Sequence, residues 1–232
     1  MTKTTPVIAA GAVLCAGILL SGCGLSTIAS PTKSETKGYD VTGSVTALDV
    51  EAGSGAIVVV GSSRTGVRVT ETLHWKGDRP AAAHPVDGGT LRLSYECKGD
   101  DWACGVDYRV EVPEGMRVRV KTGSGDITLR AIGGDLDAFT GSGEIDANQL
   151  AGKRAIAETG SGDVELRFAG VPDDVQVSTG SGTGVVRVPS GSYQVTANTG
   201  SGDRTVDVST DDVSPHRIVV KTGSGDAKVL KA

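Results

Sequence analysis

The sequence predicts an all-β, single-domain parallel β-solenoid of about 20 residues per coil, and three observations lead there. Thr-Gly-Ser-Gly recurs with its first glycine at Gly123, Gly141, Gly160, Gly180, Gly200 and Gly223, in steps of 18, 19, 20, 20 and 23 residues. A degenerate copy, Ala52-Gly53-Ser54-Gly55, lies upstream. A near-constant period in this range marks stacked units that bury their apolar faces only against their neighbours. Between the motifs, apolar residues alternate at period two, which excludes a helical repeat unit. Finally, the 34 glycines are interspersed with abundant Val, Ile and Leu, unlike a disordered glycine-rich tract. A β-sandwich is the alternative arrangement of the same strands.

In chain order, Lys3 precedes an uninterrupted apolar and small-residue run, Val7 to Leu20. Fourteen residues are too few for a bilayer core, which takes about 20 helical residues, so the run reads as the core of a signal peptide covering 1–22. Its end, Leu20-Ser21-Gly22-Cys23, resembles the lipobox of bacterial lipoproteins. That resemblance implies cleavage before Cys23, lipidation of its thiol and a membrane partner through the lipid. Loss of Lys3 leaves 22 basic against 28 acidic residues, a net −6, which favours a domain standing off an anionic surface. Residues 23–38 comprise Cys23 and a tether, GLSTIASPTKSETKG, rich in Ser, Thr and Lys and lacking a strand pattern. Some actinobacterial lipoproteins carry stems of this kind.

Residues 39–232 form the predicted domain. Val41, Val45, Leu48 and Val50 lead into Gly53-Ser54-Gly55, and Ile57 to Val60 follows. Val67 to Leu73 is a period-two strand ending near His74-Trp75. Asp78 to Gly89 reads as a loop in which Pro85 bars a central strand. Leu91–Tyr95 and Val106–Val112 alternate again, with Cys97 and Cys104 between them. In an exported chain the two cysteines read as a disulfide clamping a hairpin of adjacent strands. A metal site would need further ligands, and no His lies within ten residues; free or redox-active thiols are the remaining reading.

From Val118 each repeat unit holds two short strands, one ending at the Thr and the next starting after the acid. Ile127/Leu129, Val164/Leu166 and Val206/Val208 follow a motif; Leu136/Ala138, Val175/Val177 and Ile218/Val220 precede one. Successive coils should stack equivalent strands in parallel, about 4.8 Å apart. The glycines supply the bend, flanking a small Ser expected inside a tight corner. Right-handed crossovers are the expectation. Lys228 and Lys231, beside the last motif, are placed to blunt an open edge.

The repeated V-x-V-x-T-G-S-G-D-I-x-L pattern, following an alternating region with a cysteine pair, resembles the putative-adhesin family of bacterial envelope proteins over roughly residues 40–232. The resemblance implies a β-solenoid displayed on the cell envelope, and it transfers no functional residues.

Composition narrows the function. Aromatic residues make up 3%, against an aromatic-lined sugar or base groove, and no basic cluster is available for nucleic acid. The acids after the glycines, Asp126, Glu144, Asp163, Asp203 and Asp226, are expected in a column at one corner. Such a column resembles calcium-binding turns, although Thr183 interrupts it and the spacing differs from the calcium nonapeptide. The plain alternative is that each acid ends a turn and faces solvent. His74, His84 and His216 lack ligand spacing, and Asp100-Asp101, Asp173-Asp174 and Asp211-Asp212 read as turn residues. No Gly-x-Ser-x-Gly elbow occurs, and neither catalytic residues nor a cofactor is expected. The expectation is therefore a non-catalytic, extracytoplasmic module anchored through Cys23, contacting cell-wall glycan or an envelope protein as an adhesin or scaffold. A sensory lipoprotein in envelope stress signalling is the alternative, and a calcium-binding repeat protein a third.

Overall fold

Residues 32–98 and 103–232 are described by a computed structural model. Cys23 and the predicted signal peptide lie outside the described residues, as do Asp100 and Asp101.

The strands follow the alternation of the sequence. The N-terminal ones are β1 (Lys33–Val41), β2 (Ala47–Ser54), β3 (Ile57–Ser62), β4 (Val67–Trp75), β5 (Ala81–Ala83), β6 (Val86–Asp87), β7 (Thr90–Glu96) and β8 (Gly105–Pro113). The repeats supply β9 (Arg117–Ser124), β10 (Ile127–Arg130), β11 (Leu136–Ser142), β12 (Ile145–Leu150), β13 (Arg154–Ser161), β14 (Val164–Phe168), β15 (Asp174–Ser181) and β16 (Gly184–Val188). The last are β17 (Ser192–Ser201), β18 (Arg204–Val206), β19 (Ser209–Thr210), β20 (Arg217–Ser224) and β21 (Ala227–Lys231). No helix occurs among the described residues.

Two open sheets result. One runs β1-β4-β8-β3-β10-β12-β14-β16-β21-β18; the other runs β19-β17-β20-β15-β13-β11-β9-β2-β7-β5, with β6 also on β7. Each repeat gives one strand to each sheet, so a repeat forms a rung whose apolar side chains meet between the sheets. Leu129, Ala138, Ala147, Ala157, Leu166 and Val229 are all fully buried there. Within the stack the strands are parallel and in register: Thr140 pairs with Thr122 on one side and Thr159 on the other. A one-residue slip would turn every core residue outward, so the alternation fixes this register.

Three features depart from the sequence expectations. First, the rungs do not stack in chain order. The first rung, β2/β3, sits between β7/β8 and β9/β10, and the last, β20/β21, sits between β15/β16 and β17/β18. Composition accounts for the C-terminal exchange. Ile218, Val220, Ala227 and Val229 of the last rung are fully buried, whereas β18 offers Arg204 and Thr205, both exposed. A terminal unit of a stack needs a polar outer face, and the more polar rung takes that position. Lys228 and Lys231 therefore belong to an interior strand, β21, and do not blunt an edge.

Second, Lys33–Gly38 belong to β1 and not to a tether. These residues pair antiparallel with Thr70–Trp75 of β4, and Glu35 accepts a 2.8 Å bond from Arg79. The strand alternation there is carried by polar side chains, which a search for apolar period two overlooks. Third, β7 and β8 lie in different sheets, so Cys97 and Cys104 do not clamp a hairpin. They are joined by a disulfide, Cα atoms 6.0 Å apart, across the corner that links the two sheets of that rung. The predicted loop over 78–89 contains two short strands, β5 and β6, on either side of Pro85.

Candidate functional site

The site built most regularly from the sequence is the column of corners. In spatial order the first glycines are Gly53, Gly123, Gly141, Gly160, Gly180, Gly223 and Gly200. A Cβ on Gly141 would lie 2.6 Å from the Gly123 carbonyl oxygen, and one on Gly160 would lie 2.6 Å from that of Gly141. Backbone packs on backbone at this point, and any side chain would separate the rungs. The second glycine of most copies adds a left-handed φ, such as +140° at Gly162, that L-residues rarely adopt.

The strands run through the motif as far as its serine, beyond the Thr at which they were expected to end. The expected placement of that serine inside the corner is reversed. Ser124, Ser142, Ser161, Ser181, Ser201 and Ser224 are exposed, while Thr122, Thr140, Thr159, Thr179 and Thr222 are buried. Period two decides this: Thr shares the parity of the core residues two and four positions before it, and Ser, two residues later, lies past the bend. The buried hydroxyls are all hydrogen-bonded to glycine carbonyls. Thr140, Thr159 and Thr179 donate to the carbonyls of Gly125, Gly143 and Gly162 in the neighbouring rung, at 3.0, 3.0 and 2.9 Å.

The acids do form a column, and three of them hold the next rung. The Oδ1 atoms of Asp126, Asp163 and Asp226 accept the backbone N–H groups of Glu144, Thr183 and Asp203, at 2.9, 2.7 and 2.9 Å. Asp107 does the same for Ala56 at 2.8 Å. These oxygens cap backbone donors at a bend, a structural use for a short acid. Among the described residues no group of three or more His, Cys, Asp or Glu is placed to hold a metal ion. Lys228, 2.7 Å from Asp226, and the Asp203 N–H hold the Asp226 carboxyl below the usual range.

At the other end of the column the ladder stops on Tyr95. Its hydroxyl donates to the Ser54 carbonyl at 2.7 Å and accepts the Ser54 N–H at 2.8 Å, taking the place of another rung. Ser54 Oγ donates to the carbonyl of the disulfide-bonded Cys104. Sequence reasoning missed Tyr95; its signal was a lone aromatic at the end of a strand, just before the cysteine pair. Also missed was buried Glu71, which accepts a 2.6 Å bond from the Tyr39 hydroxyl. Burial first, and Glu71 second, push the Tyr39 and Tyr108 hydroxyls far above the ordinary tyrosine range.

The structure brings no histidine near another. His74 Nε2 lies 2.9 Å from Asp107 Oδ2, His84 stacks on Tyr39 at 4.7 Å, and His216 Nδ1 is 2.9 Å from the Pro172 carbonyl oxygen. Of the acid pairs, Asp173 meets His216, Asp174 meets Arg217, and Asp211 caps Val213. A cleft of about 560 Å³ is lined by Thr46, Thr90, Gly115, Arg117, Gly134 and Asp135. The outer sheet faces carry ion pairs of both signs, including Arg119–Asp49, Arg154–Asp137 and Arg187–Glu165.

Comparison with solved structures finds the fold in the first of the two following chains. A putative cell adhesion protein from Clostridium sporogenes is 15% identical, covers 86% of this chain and 100% of its own, and superposes with a TM-score of 0.52. A putative adhesin from Bacteroides fragilis is 16% identical, with coverage of 86% and 96% and a TM-score of 0.45. No curated protein sequence matches the chain. The profile of the Toastrack DUF4097 family matches residues 40–230, and the chain belongs to that family.

Proposed function

We propose that this protein is an envelope lipoprotein, anchored through lipid on Cys23, that displays a non-catalytic interaction module. The observation that carries the reading is the regularity of the corner column. Six serine hydroxyls project from successive rungs at the strand spacing, about 4.8 Å. Beside them the sheet faces present cross-rung ion pairs of mixed sign. A surface that repeats at one spacing makes many equivalent weak contacts, which suits an extended polymer or a protein edge better than a small substrate. Other polar side chains of the corners hold the fold: buried threonine hydroxyls on glycine carbonyls, and three of the acids on backbone N–H groups. The names of the similar solved structures, putative adhesins, agree with this use.

Two experiments test the proposal. Metabolic labelling with palmitate should mark the protein, and Cys23→Ser should abolish the label and release the protein from membranes; a label that survives the substitution contradicts the anchor. Protein made without residues 1–22 should co-sediment with isolated cell wall, and replacing the six corner serines by alanine should weaken retention. Absence of binding to wall, together with recovery of one membrane protein in stoichiometric amount, would favour the sensory reading.

A further inference from the structure

The two ends of the stack are finished differently. At the N-terminal end the edge strand of one sheet is β1, which carries Lys33, Glu35, Lys37 and Asp40 among its nine residues. The other sheet ends there in β5 and β6, of three and two residues, separated by Pro85. Charge, brevity and proline are the usual means of keeping an edge from pairing. At the C-terminal end, β18 is three residues long. Its companion β17 is the longest strand among the described residues, ten residues, SYQVTANTGS, with no charge and no proline.

Only the start of β17 is covered. β19 pairs with Ser192 and Tyr193, the Tyr193 carbonyl accepts the Asp211 N–H, and the Gln194 N–H donates inward to His216. Strand alternation then turns the N–H and C=O groups of Val195, Ala197 and Thr199 to the outer side. Among the described residues no strand pairs with that side from Gln194 to Ser201. The apolar layer is also incomplete there, with Val195, Val206 and Val208 only partly buried against the core.

We propose that this edge of β17 pairs antiparallel with the same edge of a second copy of the chain, across a two-fold axis. The partner follows from complementarity. Head-to-tail stacking would set β17 against interrupted β5 and β6, and β18 against charged β1, neither of which offers a matching uncharged run. An edge without charge meets no repulsion from its own copy. With the axis at Ala197, Val195 faces Thr199 of the partner subunit, and all three outward residues find partners. Thr196 and Asn198, both exposed, then lie opposite one another and can exchange hydrogen bonds. Because both copies use the same edge, the contact closes as a dimer and does not grow into a filament. The β1 edges are left at the two far ends of the joined sheets.

The test is sedimentation equilibrium of the full chain in density-matched detergent. The expected mass is twice that of the chain, falling to one chain mass in Thr196→Lys/Asn198→Lys. Chain mass for the unsubstituted protein, open-ended assemblies, or a dimer indifferent to the two lysines would each overturn the proposal. Amide exchange of the unsubstituted protein gives a reading that needs no variant. The Val195, Ala197 and Thr199 amides should become protected as concentration rises. Fast exchange at every concentration, or concentration-independent protection by the chain's own residues, contradicts it.

Discussion

At the scale of single residues the corner assigns a different task to each position of Thr-Gly-Ser-Gly-Asp. The first glycine has no room for a side chain because the next rung's backbone occupies the space. Gly160→Ala should therefore cost about 2 kcal/mol as the rungs separate, lowering Tm by roughly 4–8 °C. Gly170→Ala is the control: nothing lies within 4 Å of a Cβ there, and its φ is not in the left-handed range. Its melting temperature should stay unchanged within error. The buried threonine acts through its hydroxyl, and Thr159→Val, which keeps the shape, should cost about 1–2 kcal/mol by leaving the Gly143 carbonyl without its donor. Asp226 sets a pH dependence. Because its carboxyl titrates lower in the folded chain than in the unfolded one, it stabilises the fold above the ordinary aspartate range. That contribution disappears as pH falls through the folded value, so stability should drop below roughly pH 4. Asp226→Asn should make the acid limb of an unfolding titration shallower while leaving the alkaline side unchanged.

At the scale of elements, the strands and their parity were legible because period two survives wherever the core is apolar. Ile127/Leu129, Val164/Leu166 and Val175/Val177 alternate in the sequence and are buried in the structure. What could not be read was which strand lies beside which. In-register parallel pairing looks the same for any order of near-identical repeats, and the period does not encode order. One trace was present: the last step is 23 residues where its neighbours are 20, and Pro215 lies in the excess. That added length lets the chain double back past β17 before β20 begins. The role of Ser was misread for a related reason, since the motif alone does not say whether the inward parity carries past the bend. The cysteine pair was legible as a bond, but its setting was not, because a linker joining two strands does not reveal whether they share a sheet. The bond closes a short linker at a corner, and its reduction should cost roughly 2–3 kcal/mol, read as a shift of the urea midpoint that Cys97→Ser/Cys104→Ser reproduces.

At the scale of the whole described domain, the first and the last two-strand rungs both lie inside the stack. β2/β3 and β20/β21 are each enclosed by rungs from elsewhere in the sequence, so neither apolar terminal rung is left as an end. The positions outside them are taken by strands with polar or charged outer faces. Rung order is thus the feature on which the fold, the corner column and the free β17 edge all depend, and engineered disulfides read it directly. Ser224 lies beside Ser181 on one side and Ser201 on the other, whereas Ser181 and Ser201 are two strands apart. Neighbouring parallel strands bring Cα atoms within disulfide range, and a two-strand gap of about 9–10 Å does not. Under mild oxidation, Ser201→Cys/Ser224→Cys should form an intramolecular bond and Ser181→Cys/Ser201→Cys should not. The 201/224 pair is adjacent in either order and reports that the bond can form; a bond in the 181/201 pair would show rungs stacked in chain order and contradict the account.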